Sequence, residues 1–252
     1  MGRQGTSRAA GSAAVVAAAA MAFSGASAAW SLAAAPERTG SSIAHFGMIQ
    51  HGTRACASCH GANGEGDLAQ NAPRLAGEDE AYLERQLRAF RDGRRYSLVM
   101  GSVARTLDDE DRAAVARYYA SLPAIGEARA RTPGLAALGG AIAHQGDWAR
   151  KVPPCASCHG ADGLGVGASF PPLAGQRADY LERQLIRFRW NDRRDDPLGL
   201  MRGVAARLSA PEIRAVAAYY ATLPPRAPSP PTFKATPPTI RPAPAARPRG
   251  AG

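Results

Sequence analysis

The sequence has 252 residues, of which 45% are hydrophobic and 21% charged, and its formal net charge is +10. This composition is that of an ordinary globular protein and excludes a largely disordered or membrane-embedded chain. The sequence lacks arginine clusters interleaved with base-stacking aromatic residues. We therefore interpret the positive charge as a surface potential for docking protein partners and not for binding nucleic acid.

The first 28 residues have the pattern of a secretory signal peptide. Arg3 and Arg8 precede a short alanine-rich apolar stretch, and the small residues 26–28 form a cleavage site. The apolar stretch is shorter than the roughly 20 residues that a membrane-spanning helix needs. We expect residues 1–28 to be removed and the mature protein to lie in the periplasm, the alternative being an uncleaved signal that anchors the chain.

An internal repeat organises the rest of the chain. The sequence Cys-Ala-Ser-Cys-His-Gly begins at Cys56 and again at Cys155, 99 residues later. The segments Leu-Ala-Gly, Tyr-Leu-Glu-Arg-Gln-Leu and Tyr-Tyr-Ala-Ser/Thr-Leu-Pro also recur, at spacings of 98, 98 and 101 residues. Because self-similarity of this kind marks duplicated structural units, we predict two homologous domains at residues 36–125 and 134–224.

Each domain is predicted to be helical. Apolar residues at positions 83, 87 and 90, and again at 181, 185 and 188, recur on one helix face. A second helix, with residues 115, 118 and 122 or 216, 219 and 223 on one face, ends each domain. In the second domain, Ser209 and Glu212 form a capping-box pattern at the start of this helix. In the first domain, Asp108 and Asp111 form a similar pattern. A further helix precedes each cysteine motif, and no stretch alternates like a strand, so the predicted fold class is all-α.

Two segments outside the domains differ in composition. Residues 126–133 follow the helix-ending Pro123 and lack apolar periodicity, which indicates a connector. Residues 224–252 contain 10 of the 20 prolines, five basic residues and no acidic residue. Because such a segment has little apolar surface to bury, we predict a disordered tail at residues 225–252.

The two Cys-x-x-Cys-His motifs carry the chemistry. This spacing is the signature of c-type haem attachment, in which two thiols three positions apart reach the two vinyl groups of one porphyrin. The histidine that follows then lies beneath the iron and supplies a nitrogen ligand. The chain is thus predicted to bind two haem c groups covalently, through Cys56 and Cys59 with His60, and through Cys155 and Cys158 with His159.

Two alternatives use the same cysteines. Four cysteines and two histidines could bind zinc, although such a site normally closes from two nearby halves, and these motifs lie 99 residues apart. A Cys-x-x-Cys pair could also be a thiol redox centre or a disulfide. That interpretation leaves unexplained the histidine that follows both motifs.

The second axial ligand of each iron is predicted from the repeat. Met100 and Met201 lie 44 and 46 residues after the first cysteine of their motif, and each precedes a leucine by seven residues. A core methionine is the alternative role. His45 and His144 also recur, and a packed or surface role is expected for them. Pro73 and Pro171 are candidates to accept a hydrogen bond from the ligand histidine, with a simple loop role as the alternative.

Together these segments make the chain resemble the dihaem cytochrome c4 family, in which two class I cytochrome c domains follow one another. The resemblance covers about residues 36–224. It implies His/Met coordination of both irons, a pseudo-twofold arrangement of the domains and fast electron exchange between the haems. It also implies a quinol-oxidising membrane complex as donor and a haem-copper terminal oxidase as acceptor, and these partners are one way in which the chain could associate with a membrane.

The function expected from these residues is single-electron transfer, without enzymatic activity. A methionine and a histidine fill both axial positions, so neither iron keeps an open site for a substrate. Two alternatives remain: an electron-transfer subunit of a periplasmic dehydrogenase, to which the basic tail would attach, and a dihaem peroxidase-like enzyme. A peroxidase needs one displaceable ligand, which the matched Met100 and Met201 disfavour.

The net charges of the two domains differ. Residues 36–130 carry 12 basic and 13 acidic side chains, whereas residues 131–223 carry 12 basic and 8 acidic ones. Positive surroundings disfavour the ferric state, so net charge alone predicts the higher reduction potential for the C-terminal haem. Surface charges are screened over about 8 Å at physiological salt, so the predicted separation is modest.

Overall fold

The structure of the chain, a computed structural model, describes residues 38–125 and 133–225. We call these two ranges the N-terminal repeat and the C-terminal repeat. The predicted signal peptide, the connector up to residue 132 and the tail beyond residue 225 lie outside the described residues.

Five α-helices form each repeat, in the same order. Those of the N-terminal repeat are α1 (Gly40–Phe46), α2 (Ala57–His60), α3 (Glu80–Arg91), α4 (Leu98–Thr106) and α5 (Asp109–Ser121). Those of the C-terminal repeat are α6 (Pro133–Gln145), α7 (Ala156–His159), α8 (Ala178–Arg189), α9 (Leu200–Ala205) and α10 (Ala210–Thr222). Pairing of extended backbone in the described ranges is limited to isolated bridges, and the all-α prediction is confirmed.

The last helix of each repeat begins at the predicted capping box. Asp108 Oδ1 accepts a hydrogen bond from the backbone N–H of Asp111 at 2.8 Å, and Ser209 Oγ accepts one from Glu212 at 3.4 Å. The carboxylate of Glu212 accepts in return from the backbone N–H of Ser209 at 2.7 Å. These bonds satisfy backbone donors that a helix start leaves without partners, and so fix where α5 and α10 begin.

The first and last helices of each repeat cross at a glycine. A Cβ atom on Gly40 of α1 would lie 2.0 Å from the carbonyl oxygen of Ala114 in α5. A Cβ atom on Gly139 of α6 would lie at the same distance from the carbonyl oxygen of Ala215 in α10. The backbones of the two helices are therefore in direct contact, which only glycine permits.

The core of each repeat lies where the last helix meets the helices packed on it. Tyr119 and Tyr220, each 1% exposed, are the largest aromatic side chains buried there. The predicted face of α5 includes Tyr118, but the structure buries the next residue more deeply, and Tyr118 packs against the edge of the core. Met48, which has no counterpart in the repeat, is 8% exposed and belongs to the N-terminal core.

Helices α4 and α9 carry Met100 and Met201, and the sequence did not predict them. The hydroxyl of Ser97 caps α4 by accepting from the backbone N–H of Met100 at 3.2 Å. Helix α9 follows Gly199, which has the left-handed φ of 70° that favours glycine. With nine and six residues, both helices are too short to show clear apolar periodicity.

The two repeats meet along a short pair of backbone segments. Residues Arg95 and Arg193 form an antiparallel bridge, with Tyr96 N–H donating to the carbonyl of Asp192 at 3.2 Å and Arg194 N–H donating to that of Arg94 at 2.7 Å. The residues on the two sides match across the 98-residue repeat, so the contact has approximate twofold symmetry. Within the described ranges, no helix has the length and apolar character needed to cross a membrane.

Candidate haem sites

Each cysteine motif forms a single helical turn. The backbone N–H of His60 donates to the carbonyl of Cys56 at 2.9 Å, and that of His159 to the carbonyl of Cys155 at the same distance. The turn ends at Gly61 or Gly160, where φ is 83° or 85°. It therefore places two cysteines and a histidine together at the end of one short helix.

The ring of each motif histidine is held by a proline carbonyl. His60 Nδ1 donates to the carbonyl oxygen of Pro73 at 3.0 Å, and His159 Nδ1 to that of Pro171 at 2.9 Å. The predicted role of these prolines is thus confirmed. Because Nδ1 carries the proton, Nε2 keeps its lone pair for a metal. Burial lowers the pKa of both histidines, which keeps them neutral, the form that binds iron.

The four cysteines form no disulfide with one another, and the first of each pair is poorly suited to thiol redox chemistry. Burial raises the pKa of Cys56 and of Cys155 to about 11. Redox-active cysteines have a lowered pKa, because the thiolate is the reactive form. Although each motif places its cysteines and its histidine on one turn, no three His, Cys, Asp or Glu side chains of the described residues are arranged so that they could hold a metal ion between them.

One continuous cavity of about 900 Å³ runs through both repeats. All eight predicted site residues line it: Cys56, Cys59, His60 and Met100 from the N-terminal repeat, and Cys155, Cys158, His159 and Met201 from the C-terminal repeat. His45 and His144 do not line it, and their Nε2 atoms instead bond the hydroxyl groups of Tyr118 and Tyr219 at 2.8 and 2.7 Å. Both histidines are exposed, in agreement with the packed or surface role expected for them.

Where the repeats meet, the cavity is lined by six polar side chains that match in pairs across the repeat. We call them the interface cluster: Tyr82, Gln86, Arg95, Tyr180, Gln184 and Arg193. Arg95 donates to Tyr180 and Gln184 of the other repeat at 2.7 and 2.8 Å. Arg193 donates to Tyr82 and Gln86 of the other repeat at 3.2 and 2.9 Å. Each arginine thus crosses the interface.

Buried donors around the cavity fit a ligand with anionic groups. Arg74 Nε and Arg85 Nε are buried, and neither has a hydrogen-bond partner among the described residues. Unpaired buried donors are costly, so their presence beside a cavity indicates an acceptor in the complete protein. A haem presents two propionate carboxylates. The thiols, histidines, methionines and unpaired donors together fit two covalently bound haem groups.

The sequence did not reveal the interface cluster. Its tyrosines and glutamines lie on α3 and α8, and its two arginines lie in the loops that follow these helices. All six are polar, so helical periodicity alone would not predict that they are buried. Their recurrence at a constant spacing of 98 residues was the available signal. Polar residues that recur together with the core residues of a duplicated domain point to a shared buried contact.

Comparison with known proteins gives a consistent result. A family model described as cytochrome c matches residues 50–123 and again residues 152–224. A thiosulfate dehydrogenase electron acceptor from Stutzerimonas stutzeri is 45% identical over 170 residues, which cover 67% of this chain and 79% of that protein. Cytochrome c4 from Pseudomonas aeruginosa is 40% identical over 167 residues, covering 65% of this chain and 81% of the relative.

Two solved structures share the fold. A thiosulfate dehydrogenase from Marichromatium purpuratum matches with a TM-score of 0.70 and 48% identity, over 75% of this chain and 40% of the longer chain. Reduced cytochrome c4 from Pseudomonas stutzeri matches with a TM-score of 0.62 and 36% identity, over 67% of this chain and 93% of the other. Both likenesses span the two repeats.

Proposed function

The chain belongs to the cytochrome c family and is a dihaem electron-transfer cytochrome of the c4 type; on this basis we propose that it accepts electrons from a periplasmic dehydrogenase that oxidises thiosulfate. The relatives named as electron acceptors of thiosulfate dehydrogenase, at 45% and 43% identity, support this partner. The second candidate function is that of an electron carrier between a quinol-oxidising complex and a terminal oxidase, which the cytochrome c4 relatives support.

The observation that carries the electron-transfer role is the matched pair of sites in one cavity. In our proposal His60 and Met100 bind one iron, and His159 and Met201 bind the other. Bound haem supplies a reversible one-electron change between ferrous and ferric iron. Burial keeps each histidine neutral, and the proline carbonyl orients its ring. The methionine would raise the reduction potential by favouring ferrous iron.

Two one-electron sites suit a donor that releases electrons in pairs. Oxidative coupling of two thiosulfate ions forms one sulfur–sulfur bond and releases two electrons. A chain that holds both haems in one cavity can take up both electrons before it leaves the donor. We place this reaction in the periplasm, where the predicted signal peptide at residues 1–28 would direct the chain.

The test compares two electron donors of the purified full-length protein: thiosulfate dehydrogenase with thiosulfate, and a quinol-oxidising complex with quinol. The oxidised dihaem protein is mixed in a stopped-flow instrument with thiosulfate and a catalytic amount of purified thiosulfate dehydrogenase. We expect reduction of both haems, with no reduction when either thiosulfate or the dehydrogenase is omitted. Rapid reduction by a quinol-oxidising complex with quinol, and none by the dehydrogenase, would replace this proposal with the respiratory carrier.

A further inference from the structure

One peptide group lies between the motif histidine of the N-terminal repeat and a side chain of the C-terminal repeat. Its carbonyl, that of Pro73, accepts from His60 Nδ1 at 3.0 Å. Its N–H, that of Arg74, donates to Gln176 Oε1 at 3.0 Å. The carbonyl and the N–H of a peptide group point in opposite directions. His60 and Gln176 therefore hold the same peptide group from its two sides.

The hydrogen bonds of Gln176 fix the orientation of its amide. Its Oε1 also accepts from the backbone N–H of Arg177 at 3.0 Å. Its Nε2 donates to the carbonyl of Arg74 at 2.9 Å and to Glu78 Oε1 at 3.2 Å. The reverse orientation would place the NH2 group against two N–H donors and the oxygen against two acceptors. The amide oxygen is thus the acceptor for Arg74.

The Pro73–Arg74 peptide group has little room to move. A Cβ atom on Gly66 would lie 2.7 Å from the nitrogen of Arg74 and 2.8 Å from the carbonyl carbon of Pro73, so the backbone of this glycine packs directly on the peptide group. His60, Arg74 and Gln176 are all buried. Hydrogen bonds that share a group away from water polarise one another, so each strengthens the next.

The C-terminal repeat does not repeat this arrangement. His159 Nδ1 donates to the carbonyl of Pro171, but the nitrogen of that peptide group belongs to Pro172, which has no N–H to donate. The position that matches Gln176 across 98 residues is Glu78, and its carboxylate accepts from Arg74 of its own repeat at 3.1 Å. Among the described residues, the peptide group that holds the motif histidine is thus bonded to the opposite repeat at the N-terminal site and not at the C-terminal one.

We infer that Gln176 of the C-terminal repeat is a positioning residue for the N-terminal haem: it holds the Pro73–Arg74 peptide group in the orientation in which the carbonyl bonds to His60. Because it accepts from the N–H, it also makes the carbonyl of the same peptide group a stronger acceptor. A stronger bond at Nδ1 makes the histidine a stronger ligand and favours ferric iron. The contact between the repeats therefore acts on one of the two haems. The inference rests on the proposed binding of iron by His60.

The first test measures hydrogen exchange at His60 Nδ1 by proton NMR of the haem-loaded ferric protein. The ring N–H of a histidine that binds ferric iron resonates far outside the usual range, so the two ligand histidines can be followed separately. Leucine fills most of the space of Gln176 and removes its hydrogen bonds. We expect Gln176→Leu to accelerate exchange at His60 roughly tenfold, because the peptide group is no longer held. Exchange at His159 should not change.

Two further variants separate positioning from a general loosening of the contact. Gln176→Glu keeps an oxygen that can accept from Arg74, so exchange at His60 should stay within about twofold of the wild type. Asn71→Gly is the matched control, because it removes the acceptor of a 3.0 Å bond from Arg183 of the opposite repeat. Asn71 has a φ of 54°, which glycine adopts freely. This variant should leave exchange at His60 unchanged.

The second test is a spectroelectrochemical titration of Gln176→Leu beside the wild type. A weaker bond at His60 should raise the ratio of ferrous to ferric iron in the N-terminal haem roughly twofold at a fixed potential, which is about 18 mV for a one-electron couple. The C-terminal haem should not change. Each haem is identified with Met100→His or Met201→His in the same background. If Gln176→Leu does not retain two haems, Gln176→Ala takes its place.

Three results would overturn the inference: wild-type exchange at His60 in Gln176→Leu, equal acceleration in Asn71→Gly, or equal changes at the two haems. A His60 resonance without the displacement that iron causes would overturn it together with the ligand assignment. None of these results depends on which protein donates the electrons, so they are distinct from failure of the proposed donor.

Discussion

The side chain of Gln176 forms two hydrogen bonds to the backbone of Arg74, across the contact between the repeats. Its Oε1 accepts from the backbone N–H of Arg74 at 3.0 Å, and its Nε2 donates to the carbonyl of the same residue at 2.9 Å. Gln176 is 3% exposed and Arg74 is 2% exposed, so water cannot replace either bond. A single side chain of the C-terminal repeat thus provides hydrogen-bond partners for the buried N–H and carbonyl groups of one residue in the N-terminal repeat.

Replacing Gln176 with alanine should destabilise the contact between the repeats. The substitution leaves a buried N–H and a buried carbonyl without partners, which costs about 2–4 kcal/mol in the free energy of unfolding. Urea unfolding of the haem-loaded protein measures this cost. Gln145→Ala, at an exposed position, is the control and should change stability little. Equal stability of the two variants would mean that the Gln176 bonds contribute nothing.

The glycine crossings predict a second pair of destabilised variants. In Gly40→Ala and Gly139→Ala the new methyl group would meet a carbonyl oxygen of the last helix, so the helices must separate. Overpacking of this kind costs about 1–3 kcal/mol or more. Gly134→Ala is the control on α6, because nothing lies within 4 Å of its Cβ position. Its thermal midpoint should equal or exceed that of the wild type, and a similar loss in all three variants would contradict the crossing.

The ion pair at the start of α10 predicts a pH-dependent effect. Arg150 donates to Glu212, and this bond is the main cause that lowers the pKa of Glu212 to about 2. A carboxyl whose pKa is lowered on folding stabilises the protein above its unfolded pKa, near 4.3, and loses that contribution as the pH falls towards its folded pKa.

Glu212→Gln should therefore unfold more easily than the wild type at pH 7, by about 1 kcal/mol because the pair is partly exposed. The difference should shrink as the pH falls below about 4. Urea unfolding of both proteins at pH 7, 5 and 3 measures this difference in the free energy of unfolding. A difference that stays constant over this range would show that the charge of Glu212 is not what stabilises the helix start.

Much of the site could be predicted because the repeat aligns the relevant residues. The two cysteine motifs, the methionines and the prolines each recur. A residue pattern that occurs by chance would not recur at matching positions in the second repeat. The short helices α4 and α9, which contain Met100 and Met201, could not be predicted, because helices of nine and six residues are too short to show clear apolar periodicity. The buried Arg193–Asp195 ion pair could not be predicted either, because the burial of Arg193 depends on how the two repeats pack.

The predicted methionine ligands have a spectroscopic test. Ferric haem with a methionine sulfur ligand has a long-wavelength charge-transfer band, which a histidine ligand abolishes. Met100→His and Met201→His should each remove part of the band, and the double variant should remove all of it. Met48→Leu is the control, since Met48 lies in the core and does not line the cavity. An unchanged band in either histidine variant would show that the replaced methionine is not a ligand.

The central claim is that both repeats of this chain hold a covalently attached haem. A pyridine haemochrome assay on the purified full-length protein, combined with a protein concentration from amino-acid analysis, counts the attached haems directly. The account predicts two haems per chain, retained after extraction with acidified organic solvent because Cys56, Cys59, Cys155 and Cys158 attach them. A ratio of one or none, or haem that the solvent extracts, would contradict it.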